Sequence, residues 1–529
     1  MSNTLLAAIM QLKGIDDSFI DATGQPATVS DHNIKRIIQA MGVDASSEST
    51  LTSHYEAQES KHWLSLLPPV AVFQQAPSYE LEVRLPIDFV TDNLLYRITT
   101  ETGECIEQRL TATDFPLLAV NEITDVEFQM YAVELSVTLA QGYHHLALLE
   151  EGNEEPLAVM TLIITPETCY QSPSFIQQKK AAVITLATQQ KQGEVIQYLD
   201  VNAIKNNIDK AAQQGAQALQ LKTAETNLPA LWAKILQLDL SILKEYDAAL
   251  PHLTVNNIVD EHSLFIHKLS LLRDAFSALP SSTSSTSSLT AFIEAGGERL
   301  KKQASFAAMQ YHCVDAASEL DLNKEWPVAF QAYQNQASQD WFAENKQEVQ
   351  FWHFCYWLIA QQTLLLEEYA KLQGIHLGFH QYGVIGAIKQ GMSSWAETEY
   401  YGENVYIGQP ELVETESNQR VETLPFIPDV LFQSGYQPYI DLLRGYMQNK
   451  GILHFQRSSE LLRCWWAITG EDAEQGAFVF YNVYDMLNIL ALESDRHQCV
   501  IVADDIDAIE GLDALLIDAH VYDAKGLSF

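Results

Sequence analysis

Basic residues are scarce in this chain: 31 Lys and Arg stand against 69 Asp and Glu, a formal charge of −38. This balance argues against nucleic acid and anionic membranes as partners, because phosphate binding needs clustered Lys and Arg. The acidity serves solubility, or it faces a basic protein partner. Metal-ligand patterns are lacking as well. The six cysteines, Cys105, Cys169, Cys313, Cys355, Cys464 and Cys499, are scattered, with no pair at zinc-site spacing. His376 and His380 are four apart, but Gly374 and Gly378 disfavour a helix that would align them. Neither a metal nor a cofactor is expected. No apolar run reaches the roughly 18 residues of a membrane span. The opening MSNTLLAAIMQLKGIDD has no basic stretch ahead of its apolar run, so it does not read as a secretory signal. Scattered thiols without such a signal fit a reducing cytoplasm. No Gly-x-Ser-x-Gly elbow, phosphate-binding Gly-Lys-Ser/Thr loop or internal repeat occurs.

What is present is length and apolar content. The 529 residues, 47% of them hydrophobic, predict two to four domains with sizeable cores. Residues 1–62 read as a helical segment. Within it Ser30 caps a helix whose apolar face is Ile34, Ile37, Ile38 and Met41, with Gly42 past its end. From about residue 63 the period changes to two, as in Leu81, Val83 and Leu85 alternating with Glu80, Glu82 and Arg84. Further strands are expected over Leu94–Thr99, Tyr131–Leu139, His145–Leu149 and Ala158–Thr165, and this spacing predicts a β-sandwich over 63–168. After Pro166 strands and helices alternate, the pattern of an α/β sheet or barrel over 169–529. Its expected strands are Ala181–Leu186, Ala218–Leu221, Val384–Ile388, Ile452–Phe455, Val500–Ala503 and Leu515–Ile517. A helical subdomain is expected at about 230–375. It includes a long helix from about Gln347 to Leu372, with Phe351, Trp352, Phe354, Cys355 and Leu358 on a buried face. The Ser281–Ser288 tract reads as a solvated loop.

One stretch carries more information than any other: Gly451–Trp466, GILHFQRSSELLRCWW. A short apolar strand should end at Gln456-Arg457, and Leu461, Leu462, Trp465 and Trp466 predict a helix after it. Tyr436–Arg444 (YQPYIDLLR), Met447–Asn449, Gln475–Ala477 and Leu490–Ser494 flank the stretch. Together these segments resemble the 4-alpha-glucanotransferases, or amylomaltases. Gly142-Tyr143-His144 and Ile163–Tyr170 resemble the last sandwich strands of the long members. The helix around Tyr356-Trp357-Leu358 resembles the approach to the third barrel strand. The resemblance covers nearly the whole chain. It implies a (β/α)8 barrel with inserted helical subdomains and N-terminal accessory domains, with chemistry at the C-terminal strand ends.

The same resemblance locates departures from the family pattern. A retaining enzyme of this class needs a nucleophilic carboxylate and a second carboxyl about 5–5.5 Å away. The family strand ends Arg-x-Asp-His; here His454 replaces the arginine, Gln456 the aspartate and Arg457 the histidine. An amide cannot form the glycosyl ester. The family's Gly-Glu-Asp-Leu-Gly corresponds to VIVADDID, with Asp504 at the acid/base position, one methylene shorter, and Asp505 after it. The third carboxylate belongs to a His-Asp-x-Pro motif, and the last third of this chain, which stops at Phe529, has no His-Asp pair. Substrate loops are altered at Gln189–Gly193, Lys222–Glu225 and Arg420–Thr423. The aspartate before the third strand becomes Gln381, or His380 with a one-residue shift.

The expected fold is therefore multidomain. A helical segment and a β-sandwich precede an incomplete, truncated (β/α)8 TIM barrel whose exposed edges a rearranged element, a partner or a homo-oligomer contact must cover. The expected function is that of a pseudoenzyme in α-glucan metabolism. It would bind α-1,4-glucan through His454, Arg457, Asp505 and Gln381, or partner an active glucanotransferase or another protein of glycogen metabolism. The alternatives are residual transfer of α-1,4-glucan segments with Asp504 as acid/base, and an interaction scaffold unrelated to glucans.

Overall fold

The computed structural model describes residues 2–20, 23–91, 93–178, 181–192, 195–222, 230–242, 261–279, 284–314, 326–410, 422–448, 451–472, 474–506 and 509–529. The altered loops expected at 223–225 and 420–421, Gly193, Asn449 and Asp507 lie outside them.

The N-terminal helix Asp31–Ala40 forms as its signals require. The Ser30 hydroxyl accepts from the Asn33 backbone N–H, and Ile34, Ile37 and Ile38 are buried. The helices are joined by a hairpin, Ser18–Ile20 with Pro26–Thr28, whose short strands the periodicity did not mark. The segment is no separate layer. Leu6, Ile9, Ile34, Ile37 and Ile38 share one core with Tyr439, Leu443, Trp466 and Leu490 of the α/β domain. Lys13 pairs with Asp429, and Arg36 pairs with Glu471 at 2.7 Å.

The sandwich packs two sheets face to face. The five-stranded sheet runs Val70–Gln74, Ala158–Thr165, Gly142–Glu150, Leu94–Thr99, Cys105–Leu110, and the three-stranded sheet runs Tyr79–Pro86, Val126–Leu135, Leu117–Ile123. Leu81, Val83, Leu85, Ile98, Leu146, Leu148 and Leu162 fill the space between them. The alternation set this arrangement, because each inward residue removes apolar area from water while its neighbours stay solvated.

The α/β domain is built on a seven-stranded parallel sheet. We number its strands β1 (Ala181–Ala187), β2 (Ala218–Lys222), β3 (Phe379–Gly383), β4 (Gly451–Phe455), β5 (Val500–Ala503), β6 (Tyr522–Asp523) and β7 (Leu527–Ser528). The order across the sheet is β6-β5-β4-β3-β2-β1-β7. The two edge strands, β6 and β7, are thus near neighbours in sequence. The four-residue step from Asp523 to Leu527 spans at most about 14 Å, so the sheet must curl into a half-barrel that brings its edges together. The edge of β1 expected to lie open is met by β7, which pairs with Ala181 and Ala182. Of the covers considered, a rearranged element is the one present on that edge.

Helices α1 (Val201–Gln213), α2 (Lys346–Leu372), α3 (Gln437–Met447) and α4 (Val483–His497) cover the outer face, α1 and α2 packing on Leu186, Leu219 and Phe379 and α3 and α4 on Leu453, Phe455 and Ile501. The helical subdomain has its own core, in which Phe351, Trp352, Phe354, Cys355 and Leu358 are all buried.

Four expectations are corrected. The third barrel strand is Phe379–Gly383 rather than Val384–Ile388, and Ala387–Ile388 instead pairs with Thr423–Leu424 in a side ribbon. Leu515–Ile517 lies in the helix Leu512–Asp518, where Leu512 and Leu516, four apart, are buried and Ile517 is exposed. Arg463–Ile468 is a strand, not a helix, because it is paired on both sides, by Val405–Gly408 and by Gly476–Phe480. Ser284–Ser288 begins the helix Ser284–Cys313 rather than looping, in keeping with the preference of Ser and Thr for helix N-termini.

Gly451 fixes the start of β4. A Cβ there would meet the Phe379 carbonyl oxygen at 2.0 Å, so only glycine lets β3 and β4 approach.

Candidate functional site

Side-chain parity decides what the half-barrel presents. Ile452, Val500 and Val502 pack with Ala181, Val183 and Ala218 inside the curl. Leu453, Phe455, Ile501 and Ala503 pack outward, toward helices. With a period of two, His454 and Gln456 follow Ile452 inward, and Asp504 follows Val502. Phe379 packs outward, so His380 and Tyr382 face in while Gln381 shares the outward face. Of the two residues that the alignment left open for that position, the interior one is His380.

The interior residues form a chain of contacts. The register sets His454 beside Val502 and Phe455 beside Ala503, which delivers Asp504 next to His454. His454 Nε2 lies 3.2 Å from Asp504 Oδ2. On its other side His454 Nδ1 is hydrogen-bonded to His380 Nε2 at 3.0 Å. Both imidazoles are buried, while the Asp504 side chain is 44% exposed. The Tyr382 ring centre lies 4.9 Å from each imidazole, edge-on to His380 and tilted against His454, and the Phe529 ring lies 5.3 Å from His380.

Electrostatics follows from this burial. Desolvation, and then the neighbouring His454, pull the His380 imidazole down to about 4, so it is neutral near pH 7. Burial and then the Asp504 charge raise the Tyr382 hydroxyl above its ordinary value. A neutral His380 can donate to or accept from His454 Nδ1. The arrangement links an exposed carboxylate to a buried imidazole pair.

Gln456 stands exposed just past the C-terminal end of β4. Arg457 does not reach across the mouth; its Nε pairs with Glu460 at 2.6 Å. Burial pushes the Glu460 carboxyl up to about 7, against the opposing pull of Arg457 and of the Ile385 backbone N–H. Ser458 ties the neighbouring loops together, its hydroxyl donating to the carbonyls of Asp504 at 2.9 Å and Asp505 at 3.2 Å. Asp504 N–H in turn donates to the Phe455 carbonyl at 2.9 Å. Asp505 is exposed in a left-handed conformation, φ 55°. The structure thus brings His454, Asp504 and His380 together at one strand end, sets Gln456 and Asp505 on the rim, and turns Arg457 and Gln381 elsewhere.

The imidazole pair, Tyr382 and Glu460 were not singled out from the sequence. The available signal was the shared parity of His380 and His454 on neighbouring strands, which is readable once both strands are correctly bounded. Among the described residues no group of three or more His, Cys, Asp or Glu side chains is arranged to hold a metal, and no helix is long and apolar enough to cross a membrane.

Leu461, Leu462, Trp465 and Trp466 serve packing. Trp466 is fully buried, and Trp465 lies between Phe19 at 4.9 Å and Phe478 at 5.0 Å. Arg463 lies over the Phe478 ring at 4.0 Å.

A curled parallel sheet with polar side chains at its C-terminal strand ends, behind a β-sandwich, defines a barrel-type protein with an accessory domain. The family model described as 4-alpha-glucanotransferase matches residues 171–525, and the MalQ N-terminal beta sandwich domain model matches 66–166. The chain belongs to the 4-alpha-glucanotransferase family. It is 25% identical over 461 residues to a 4-alpha-glucanotransferase of Haemophilus influenzae, covering 77% of this chain and 64% of that protein. The chain thus spans just under two thirds of that relative's length. Its fold is similar to amylomaltase from Corynebacterium glutamicum, with a TM-score of 0.75, 18% identity and coverage of 98% of this chain and 75% of that one. It is also similar to amylomaltase from Streptococcus agalactiae in complex with acarbose, with a TM-score of 0.52, 13% identity and coverage of 64% and 72%.

Proposed function

We propose that this chain is a catalytically inactive homologue of the 4-alpha-glucanotransferases that binds α-1,4-glucan at the half-barrel mouth, in the cytoplasm, alone or beside an active enzyme. The observation that carries this reading is Gln456. Its amide stands exposed past β4, where the family pattern has the nucleophile, and an amide cannot form a glycosyl ester. The neighbouring Asp504 is one methylene shorter than the family glutamate, and its Oδ2 lies 3.2 Å from His454 Nε2. A misplacement of about 1 Å alone can cost on the order of a hundredfold in rate. The Gln456 amide and Asp505, both exposed, still present donors and acceptors suited to sugar hydroxyls.

A second reading is a residual glucanotransferase. It is favoured by the exposed carboxylate of Asp504, retained at the adjacent strand end. Incubation of the pure protein with maltoheptaose separates the two. The first reading expects no ladder of longer and shorter glucans, together with a ligand-dependent rise in melting temperature. A ladder would overturn it in favour of the second. A flat melting response to several α-glucans would leave an interaction scaffold.

A further inference from the structure

One short turn joins three loops at the half-barrel mouth. It runs Ser458–Leu461, directly after Gln456 and Arg457. Ser458 holds the loop after β5 through the carbonyls of Asp504 and Asp505. Glu460 holds the loop after β3, where its carboxyl accepts from the Ile385 backbone N–H. From the other side α3 clamps the same loop, the Tyr446 hydroxyl accepting from Val384 N–H at 3.2 Å and donating to the Val384 carbonyl at 3.3 Å.

Glu460 is the exceptional member of this turn. It is 5% exposed, and a buried charge is costly unless it is both paired and hydrogen-bonded. Arg457 Nε lies 2.6 Å from Glu460 Oε1, yet among the described residues Oε1 accepts no well-directed hydrogen bond. The other titratable groups that face the carboxyl are Tyr446 on α3, Cys464 on the strand Arg463–Ile468, and Tyr481 after the strand Gly476–Phe480. Burial pushes all three upward, so they stay neutral and supply no counter-charge. Arg457 is thus the cation that holds the Glu460 charge, and burial has brought that carboxyl up to about 7, where the charge comes and goes near neutrality. Arg457 itself is buried only in part, at 24% exposed, and it follows the exposed Gln456 directly. The Asp504 and Asp505 side chains, both open to solvent, stand on the loop that Ser458 holds.

We propose that Glu460 is a positioning residue that decides whether Arg457 serves the mouth. Ionised, it keeps the guanidinium along the turn. Protonated, it releases the guanidinium toward Asp504 and Asp505, where five N–H donors meet the hydroxyls of a ligand seated beside Gln456. That this ligand is a glucan rests on the functional reading above; the latch rests on the turn and the loops it joins.

The test follows wild type, Glu460→Gln and Arg457→Gln between about pH 5.5 and 8.5, a window that brackets the Glu460 titration. The first readout needs no ligand: hydrogen exchange over 384–388 and 456–463, corrected for the intrinsic pH dependence of exchange. Wild type should lose protection in both segments as pH falls through about 7. Glu460→Gln keeps an acceptor for Ile385 N–H but carries no charge, and it should show the acid-side level at every pH. The second readout is maltoheptaose affinity. Wild type should bind at least about tenfold more tightly at the acid end, the worth of one hydrogen bond to a charged group. Glu460→Gln should bind tightly throughout and Arg457→Gln weakly throughout. A flat wild-type exchange profile, or a step that persists in Glu460→Gln, overturns the latch whatever the ligand does. Should Glu460→Gln fold poorly, an affinity step that survives in Arg457→Gln overturns it equally. The expected exchange profiles without maltoheptaose binding at any pH uphold the latch and overturn binding at the mouth.

Discussion

Glu493 offers the sharpest test of how the sandwich is coupled to the strand that carries Asp504. It lies on α4, the helix that leads into β5, and its side chain is 0% exposed. Arg444 of α3 donates to it from Nε at 3.2 Å and from Nη2 at 3.1 Å, and the Tyr143 hydroxyl of the sandwich donates as well. Arg444 and Arg496 both lie over the Tyr143 ring, at 5.0 and 4.9 Å, and Arg496 pairs with Glu101 at 2.9 Å. Arg444→Met keeps most of the stem but leaves a buried carboxylate without its cation. Breaking such a pair costs on the order of 3–5 kcal/mol. Arg444 is 35% exposed, so solvent screens part of the pair, and the expected loss is about 3 kcal/mol. Tyr143→Phe removes one hydrogen bond to a charged acceptor and should cost about 1.5–3 kcal/mol. The double change Arg444→Met with Glu493→Met removes both charges and should recover most of the loss, apart from roughly 1–3 kcal/mol for the Tyr143 hydroxyl left without an acceptor. The assay is a double-mutant cycle in denaturant, read with hydrogen exchange on Val483–His497 and Val500–Ala503 because a multidomain chain need not unfold in one step. A cost below about 1 kcal/mol for Arg444→Met, or a double variant no better than the single, would refute the reasoning.

His380 predicts a pH dependence. Its native value of about 4 lies below the ordinary 6.5, so the unfolded chain binds the extra proton first as pH falls. The stability it contributes is fully present above pH 6.5 and is lost between 6.5 and 4, with a ceiling of about 3 kcal/mol. His380→Phe should flatten that part of the stability profile by about one proton, and an unchanged slope would contradict the assignment. Gly451→Ala should cost more than about 2 kcal/mol in chemical denaturation, because its Cβ would collide with the backbone oxygen of Phe379 rather than with a movable side chain; wild-type stability would show that β3 and β4 do not approach so closely.

How legible these features were depended on what each residue faces. Leu94–Thr99 forms a strand with the expected limits because one side is buried and the other less so, which leaves a readable alternation, whereas Ala158–Thr165 is legible as a short apolar run buried on both faces at its end. The strands of a parallel sheet lose that signal. In β3 the residues His380, Gln381 and Tyr382 broke the apolar pattern, so the run after it read as the strand. Arg463–Ile468 shows the same ambiguity in reverse. Leu461, Leu462, Trp465 and Trp466 fit a helical stripe, but pairing on both sides overrode it, in keeping with the strand preference of aromatic residues. The His380–His454 contact joins residues 74 positions apart and depends on both register and parity, so no local motif could announce it. The resemblance was legible for a different reason. Tyr439, Leu443, Trp466, Leu490 and Ala491, which carry much of it, are almost fully buried, whereas Gln456 is exposed on the rim. Core positions are held by packing whether or not chemistry occurs at the mouth. A family match built on them therefore establishes the fold. On the function proposed above, activity turns on a few exposed or polar positions, Gln456 and Asp504 first among them, where the fold is free to vary at little cost in stability.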